Sequence, residues 1–173
     1  MSNILIIYST VHGQTRKICD YMQDKLTAAG ETVTLEALED KPDLTAFDKV
    51  FIGASIRHGK HRPELYQFVA DNKEVLDSKA NGFFSVSLVA RKPGKNTPDT
   101  NMYMQAFLKQ SDWQPKVLEV FGGNLDYQGY GPMDRNIIRF IMWMTKGPTD
   151  PNTQVEYTDW EKVDAYVAKI HAA

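Results

Sequence analysis

The residues most suited to chemistry lie close together near the start of the chain: Ser9-Thr10-Val11-His12-Gly13-Gln14-Thr15. An apolar stretch, Ile4-Leu5-Ile6-Ile7-Tyr8, precedes them, and an amphipathic segment begins at Gln14. A strand, a hydroxyl-rich loop and a helix start together make an anion seat. Backbone N–H groups at a helix N-terminus lack intrahelical partners and favour negative charge. Ser9, Thr10 and Thr15 add hydroxyl donors. The loop has no Lys or Arg, so it is suited to seating a phosphate rather than transferring one. No Lys follows Gly13 as a nucleotide-triphosphate loop requires, and Gly13 is the only glycine of a dinucleotide fingerprint. A Ser/Thr-rich helix cap without a ligand is the competing reading.

Two basic clusters form the second group. Arg57, His58, Lys60, His61 and Arg62 stand together, as do Arg91, Lys92 and Lys95. Such clusters pair with carboxylates or anionic headgroups, or form a solvated face. The histidines show no metal-ligand pattern, because His58-x-x-His61 lacks a suitably spaced Cys or Glu. His12 either donates to a bound anion or packs as a neutral ring. No residue announces itself as a general base. The single cysteine, Cys19, fits a buried thiol and a reducing compartment. At a net charge of −2 there is no global case for nucleic acid. The N-terminus enters a strand almost at once, so no signal peptide is expected. No apolar run is long enough to span a bilayer.

Alternating elements must position these groups. After the first strand, Gln14 to Ala29 has helical spacing, with Gly30 as its stop. Strands follow at Thr32–Leu38, Asp48–Gly53, Gly82–Val89 and Lys116–Phe121. A helix starts at Pro63, another at Thr97-Pro98 with Thr97 as its cap, and a last one at the capping box Thr158-Asp159-Trp160-Glu161. Alternation of this kind predicts a single α/β domain over 1–173, with a parallel sheet covered on both faces. Right-handed crossovers predict a flavodoxin-like three-layer sandwich with strand order 2-1-3-4-5. That order brings the first loop, Ala54–Gly59 and Ser87–Lys92 to one end of the sheet. In such a fold the first loop is a seat for the monophosphate of FMN.

One segment exceeds the five-strand plan. Residues 123–152 are too many for an ordinary connection, and they form a long insertion after strand five. Ile137, Ile138, Phe140, Ile141, Met142, Trp143 and Met144 make an apolar run interrupted only by Arg139. Three readings stand at this point: a core helix, a segment dipping into a membrane surface, or the wall of an apolar site.

The first loop, Ile52-Gly53-Ala54-Ser55-Ile56-Arg57-His58-Gly59, Phe84 through Pro93, and Val155 through Trp160 together resemble the menaquinone-dependent protoporphyrinogen IX oxidases of bacterial haem synthesis. The likeness runs over essentially the whole chain. It implies FMN held by Ser9, Thr10, Val11, His12, Gly13, Gln14 and Thr15, with the ring flanked by Ala54, Ser55, Ile56, Arg57 and by Ser87, Leu88, Val89, Ala90. Neither flanking loop supplies an aromatic, so the flavin face is open unless Tyr127 or Tyr130 folds over it. The resemblance implies oxidation of protoporphyrinogen IX, six electrons leaving in two-electron steps to a membrane quinone, menaquinone or ubiquinone. Arg57, Arg91 and Lys92 are then candidates for the two propionates of the substrate. The implied location is the cytoplasmic face of the inner membrane, reached through Ile137 to Met144, with a homo-oligomer left open. Competing functions are an electron carrier and an NAD(P)H:quinone reductase of the same fold. Carriers are more acidic than this chain, and no nicotinamide motif is present.

Overall fold

The computed structural model describes residues 1–173. Five parallel strands form its centre: β1 (Asn3–Ser9), β2 (Thr32–Ala37), β3 (Lys49–Ser55), β4 (Ala80–Ser87) and β5 (Val117–Gly122), in the order β2-β1-β3-β4-β5. Helices α1 (Gln14–Ala28), α2 (Pro63–Asp71), α3 (Lys73–Asp77), α4 (Met102–Gln110) and α6 (Trp160–Ala172) cover it. The period-two geometry of a strand explains the layers. Leu5 and Ile7 face one way, into a 17-residue core with Leu65, Val69, Phe83, Phe107 and Trp113. Ile4 and Ile6 face the other way, into a 13-residue core with Ile18, Met22, Leu26, Val163 and Ile170. Both faces of β1 are thereby buried, as its unbroken apolar run requires. This is the three-layer sandwich expected from the sequence.

Two helix starts differ from expectation. Helix α4 begins at Met102, capped by Asn101, whose Oδ1 accepts from the N–H groups of Tyr103 and Met104 at 3.0 and 3.1 Å. Thr97 instead closes a turn, its carbonyl accepting from the Asn101 N–H. Helix α6 is capped by Asp159 rather than Thr158. The Thr158 hydroxyl donates to the Gly122 carbonyl at 2.6 Å, tying the chain to the end of β5.

The insertion is ordered into a unit of its own. Strand β6 (Asn124–Asp126) pairs antiparallel with β7 (Gln154–Glu156), and helix α5 (Pro132–Met144) lies between them. The unit therefore extends past residue 152, because the hairpin closes only at Glu156. Leu125, Tyr127, Tyr130 and Met142 form its small core. Arg91 fastens it to the main domain: Nη2 donates to the Thr145 carbonyl (3.1 Å) and hydroxyl (3.0 Å), and Nη1 to the Leu88 carbonyl (2.9 Å). Gly147 passes so close that a Cβ there would lie 2.4 Å from Met142 Cε and 2.6 Å from Arg91 Nη2. No helix is long and apolar enough to cross a membrane.

Candidate functional site

A cavity opens at the carboxyl ends of β1, β3 and β4, where a sheet with this strand order has its crevice. Its floor is the first loop. Gly13 stands just before α1 at φ +92°, a left-handed conformation that glycine adopts without a Cβ penalty. The Thr10 hydroxyl accepts from the Gly13 N–H at 3.0 Å, and Arg62 Nη2 donates to the Thr10 carbonyl at 3.0 Å, so the loop is held from both sides. No side chain caps α1, which leaves its first amides open toward the cavity. Thr15 lies in that first turn. Its hydroxyl oxygen is fully buried and has no hydrogen-bond partner. A buried hydroxyl left unpaired is unfavourable, and here it lines a cavity at the positive end of a helix. An orphaned donor beside open amides fits a phosphate group. Gln14 is fixed on its outer side, Nε2 donating to Thr158 Oγ1 (2.9 Å) and Glu156 Oε2 (3.2 Å). Lys17 Nζ donates to the same Glu156 oxygen at 2.6 Å and, as the largest influence, holds that carboxyl below the usual carboxylate range. The insertion is thus joined directly to the phosphate loop.

The walls come from the two other loops. Ser55, Ile56 and Arg57 follow β3, and Ser87, Leu88 and Val89 follow β4. The Ile56 N–H donates to the Val86 carbonyl at 3.0 Å, which keeps these two walls in register. The roof is α5. Asp134, Ile137, Ile138 and Ile141 recur at helical spacing and all line the cavity. Of the three readings of the apolar run, this face acts as the wall of a site. An adjoining side carries Met133, Phe140, Trp143 and Met144, all more than half exposed.

Most of the expected residues come together here. Thr10, Val11, His12, Gln14, Thr15, Ser55, Ile56, Arg57, Ser87, Leu88 and Val89 line the cavity. Ser9, Ala54 and Ala90 are buried behind the lining, and Gly13 is exposed beside it. Arg91 and Lys92 are not in the lining. The structure places Arg91 apart from the substrate role expected of it, because Leu88 and Thr145 occupy its guanidinium and Tyr157 lies against it. Arg57 is the cation that faces the cavity, with a half-exposed side chain.

Several lining residues escaped the sequence. Tyr103, from the first turn of α4, is one, and it joins Tyr130, one of the two tyrosines expected as a cover, in supplying the aromatic surface that neither flanking loop carries. Burial raises the pKa of both phenols. Tyr130 packs against His12 with ring centroids 4.5 Å apart, whereas Tyr127 is buried in the core of the insertion. His58, Gly59, Val86, Gly123, Asn124 and Asp134 complete the wall. The signal for Asp134 was present in its spacing three, four and seven residues before the isoleucines. Tyr103 had none.

A titratable cluster gathers under the roof. Asp134 Oδ1 lies 2.8 Å from His58 Nε2 and 3.8 Å from Arg57 Nη2, and Oδ2 lies 3.6 Å from His12 Nε2. The hydrogen bond from His58 is the main reason that the Asp134 carboxyl is held below its usual range. Burial lowers the pKa of His12, partly offset by Asp134.

Comparison with known proteins agrees with this geometry. The flavodoxin domain model matches residues 5–152. The protoporphyrinogen IX dehydrogenase [quinone] of Escherichia coli K12 is 41% identical over 169 residues, covering 96% of this chain and 93% of that protein. The protein of the same name from Leishmania major is 39% identical over 173 residues, covering 97% of this chain and 74% of that one. Among solved structures, oxidised flavodoxin 2 from Bacillus cereus has a TM-score of 0.50 at 20% identity, over 69% of this chain and 84% of its own. A cysteine-to-serine mutant of flavodoxin from Pseudomonas aeruginosa has a TM-score of 0.52 at 10% identity, over 98% of this chain and 97% of its own. The likeness in sequence spans the insertion as well as the sheet, and the chain belongs to the protoporphyrinogen IX dehydrogenases of the flavodoxin-domain family.

Proposed function

We propose that this protein binds FMN and oxidises protoporphyrinogen IX to protoporphyrin IX, passing the electrons to a respiratory quinone, menaquinone or ubiquinone. One observation carries the reading: an apolar roof, Ile137, Ile138 and Ile141, closes over a phosphate seat with an orphaned Thr15 hydroxyl. A plain electron carrier has no need of such a roof, whereas a flat apolar substrate does. The names of the relatives supply the same reaction.

Thr10, Thr15 and the open amides of α1 hold the phosphate, and the walls from β3 and β4 flank the ring. Bound FMN supplies two-electron redox chemistry, so six electrons require three rounds. The protein's part is position and exclusion of water. The isoleucine roof covers the reacting face. Arg57, at the rim, pairs with a propionate of the substrate. The outward face of α5, with Phe140, Trp143 and the two methionines, rests on the membrane surface where the quinone resides. The location that goes with this reading is the cytoplasmic face of the inner membrane.

The test is direct. The purified protein is loaded with FMN, and porphyrin fluorescence is followed from protoporphyrinogen IX with a menaquinone analogue under low oxygen. Turnover above spontaneous oxidation is expected, with a higher KM for the dicarboxylate substrate in Arg57→Ala. A flavin-loaded sample that forms no porphyrin above the blank refutes the reaction.

A further inference from the structure

We propose that His58, oriented by Asp134, accepts the proton released with each electron pair and later delivers it to the quinone. The inference rests on the reaction proposed above and identifies the residue that handles its protons. In each round a C–H bond at a bridging carbon breaks, and its hydrogen leaves with the electron pair to the cofactor. A second bond to hydrogen also breaks, a pyrrole N–H in two of the rounds and a C–H of the fourth bridging carbon in the remaining one, a double bond forms in the macrocycle, and one proton needs an acceptor. Reduction of a quinone takes up two electrons and two protons. One hydrogen comes with the electron pair, and the other is the proton still on the protein. The two half-reactions therefore balance around a single protein base.

The cavity contains few groups that can serve. Arg57 has no acceptor atom. Tyr103 and Tyr130 are held protonated by burial. Asp134 is an ion whose proton affinity is lowered by His58. Two imidazoles remain. His12 belongs to the phosphate seat, and its Nε2 lies beyond hydrogen-bond distance of Asp134, so nothing fixes its tautomer. His58 is different. A carboxylate oxygen can only accept, so the 2.8 Å contact to Asp134 puts the hydrogen on His58 Nε2 and leaves the lone pair on Nδ1. No protein group bonds to that Nδ1. This is the arrangement by which a carboxylate sets the tautomer of a general base and stabilises its protonated form.

Backbone geometry adds an independent observation. His58 sits at φ +52° and Gly59 at φ +79°, at the tip of a two-residue turn. Hydrogen bonds between Arg57 and Lys60 close the turn, 3.0 and 3.2 Å long. Glycine suits both positions, and a side chain at the first carries a conformational cost of roughly 1 kcal/mol. The fold carries an imidazole at that cost and aims it at α5. The charged groups around it are Asp134 on α5, Arg57 and Lys60 on its own turn, and His12 on the phosphate loop.

The test uses FMN-loaded wild-type protein, His58→Gly and Asp134→Asn. Glycine is favoured at φ +52°, so His58→Gly removes the imidazole without threatening the fold. The expected result is an FMN Kd within about twofold of wild type and a kcat at least 100-fold lower, in the range of general-base losses of about 10²–10⁴. Added imidazole restores part of the rate. In cofactor-free protein, nitrogen-15 spectra of the His58 ring show the Nε2–H form in wild type and lose that preference in Asp134→Asn. Turnover of His58→Gly within threefold of wild type overturns the inference. So does a parallel loss of FMN affinity, which makes His58 a cofactor contact, or an Nδ1–H form in wild type. Wild-type protein that forms no porphyrin refutes the proposed reaction and this inference together, a result distinct from an active wild type with an equally active variant.

Discussion

Thr15→Val separates the two states of the phosphate seat, because it acts on them with opposite sign. The Thr15 hydroxyl oxygen is buried and has no hydrogen-bond partner within the protein. A desolvated polar group without a partner costs about 1–3 kcal/mol. Valine replaces it with a methyl of similar size and opens no cavity. Cofactor-free Thr15→Val is therefore more stable by about 1 kcal/mol at the low end, and in a chain of this length that raises Tm by about 2–4 °C. A hydrogen bond from this hydroxyl to a phosphate is worth about 1.5–3 kcal/mol. Its loss weakens FMN binding about 10- to 150-fold at 1.4 kcal/mol per decade. Thermal unfolding of the cofactor-free protein and quenching of FMN fluorescence read the two effects separately, with Thr15→Ser as the control that keeps the hydroxyl. A lower Tm for cofactor-free Thr15→Val, or an FMN Kd within twofold of wild type, refutes the assignment of Thr15 to the phosphate.

Gly147→Ala forces a Cβ against Met142 and Arg91, both of which hold α5 in place. A loss of about 1–3 kcal/mol is expected, seen as a lower Tm, and an unchanged Tm would show that the tether is slack. Replacing Phe140 and Trp143 by serine removes apolar surface that stays exposed in the free protein. Each aromatic side chain buried in a bilayer surface contributes about 1.5–3 kcal/mol, so sedimentation with anionic vesicles falls at least tenfold while the fold is retained, and undiminished sedimentation refutes membrane contact through α5. His61 is buried, bonds to the Ser85 hydroxyl at 2.9 Å, and has its pKa pushed down to about 4 from 6.5 by burial. Unfolded chains bind the extra proton in that window, so stability falls as pH drops from about 6.5 to about 4, by roughly 3 kcal/mol in all. His12 shifts in the same direction, so the His61 share is the slope lost in His61→Gln, and equal slopes in the two proteins refute it.

The sheet was legible because its signals are local. Apolar strands of four to eight residues alternate with helical spacing, and β1 through β5 fall where that pattern places them. The phosphate loop was legible for the same reason, since a strand, a hydroxyl-rich turn and Gly13 are contiguous. Helix starts were harder, because two capping residues competed at each. Asn101 prevailed over Thr97, and Asp159 over Thr158, since Thr158 is drawn to the Gly122 carbonyl. The role of Arg91 was hidden for a related reason. A basic residue after β4 reads equally well as a ligand for an anion or as a donor to distant carbonyls, and its partner Thr145 lies 54 positions away. His58 and Asp134 are separated by 76 positions, so each looks like an isolated surface charge until the insertion folds back.

What distinguishes this molecule from a bare sheet with an FMN seat is a single helix with two apolar faces. Asp134, Ile137, Ile138 and Ile141 point into the cavity, and Met133, Phe140, Trp143 and Met144 point out of the molecule. A helix buried on one side in a soluble protein ordinarily carries polar residues on the other. Only Asn136, Arg139 and Arg135 interrupt this one, and Arg135 and Arg139 are spent on carbonyls of Tyr127, Tyr130 and Thr149. The core beneath the helix contains four residues against 17 and 13 in the main layers, so packing alone holds it weakly. Polar ties at its two ends do the rest: Asp134 to His58 near its start, and Thr145 to Arg91 just past its end. One tie reaches the loop after β3 and the other the loop after β4. The roof is therefore positioned by the same two loops that flank the cofactor seat, and any shift of those loops moves the apolar ceiling with them.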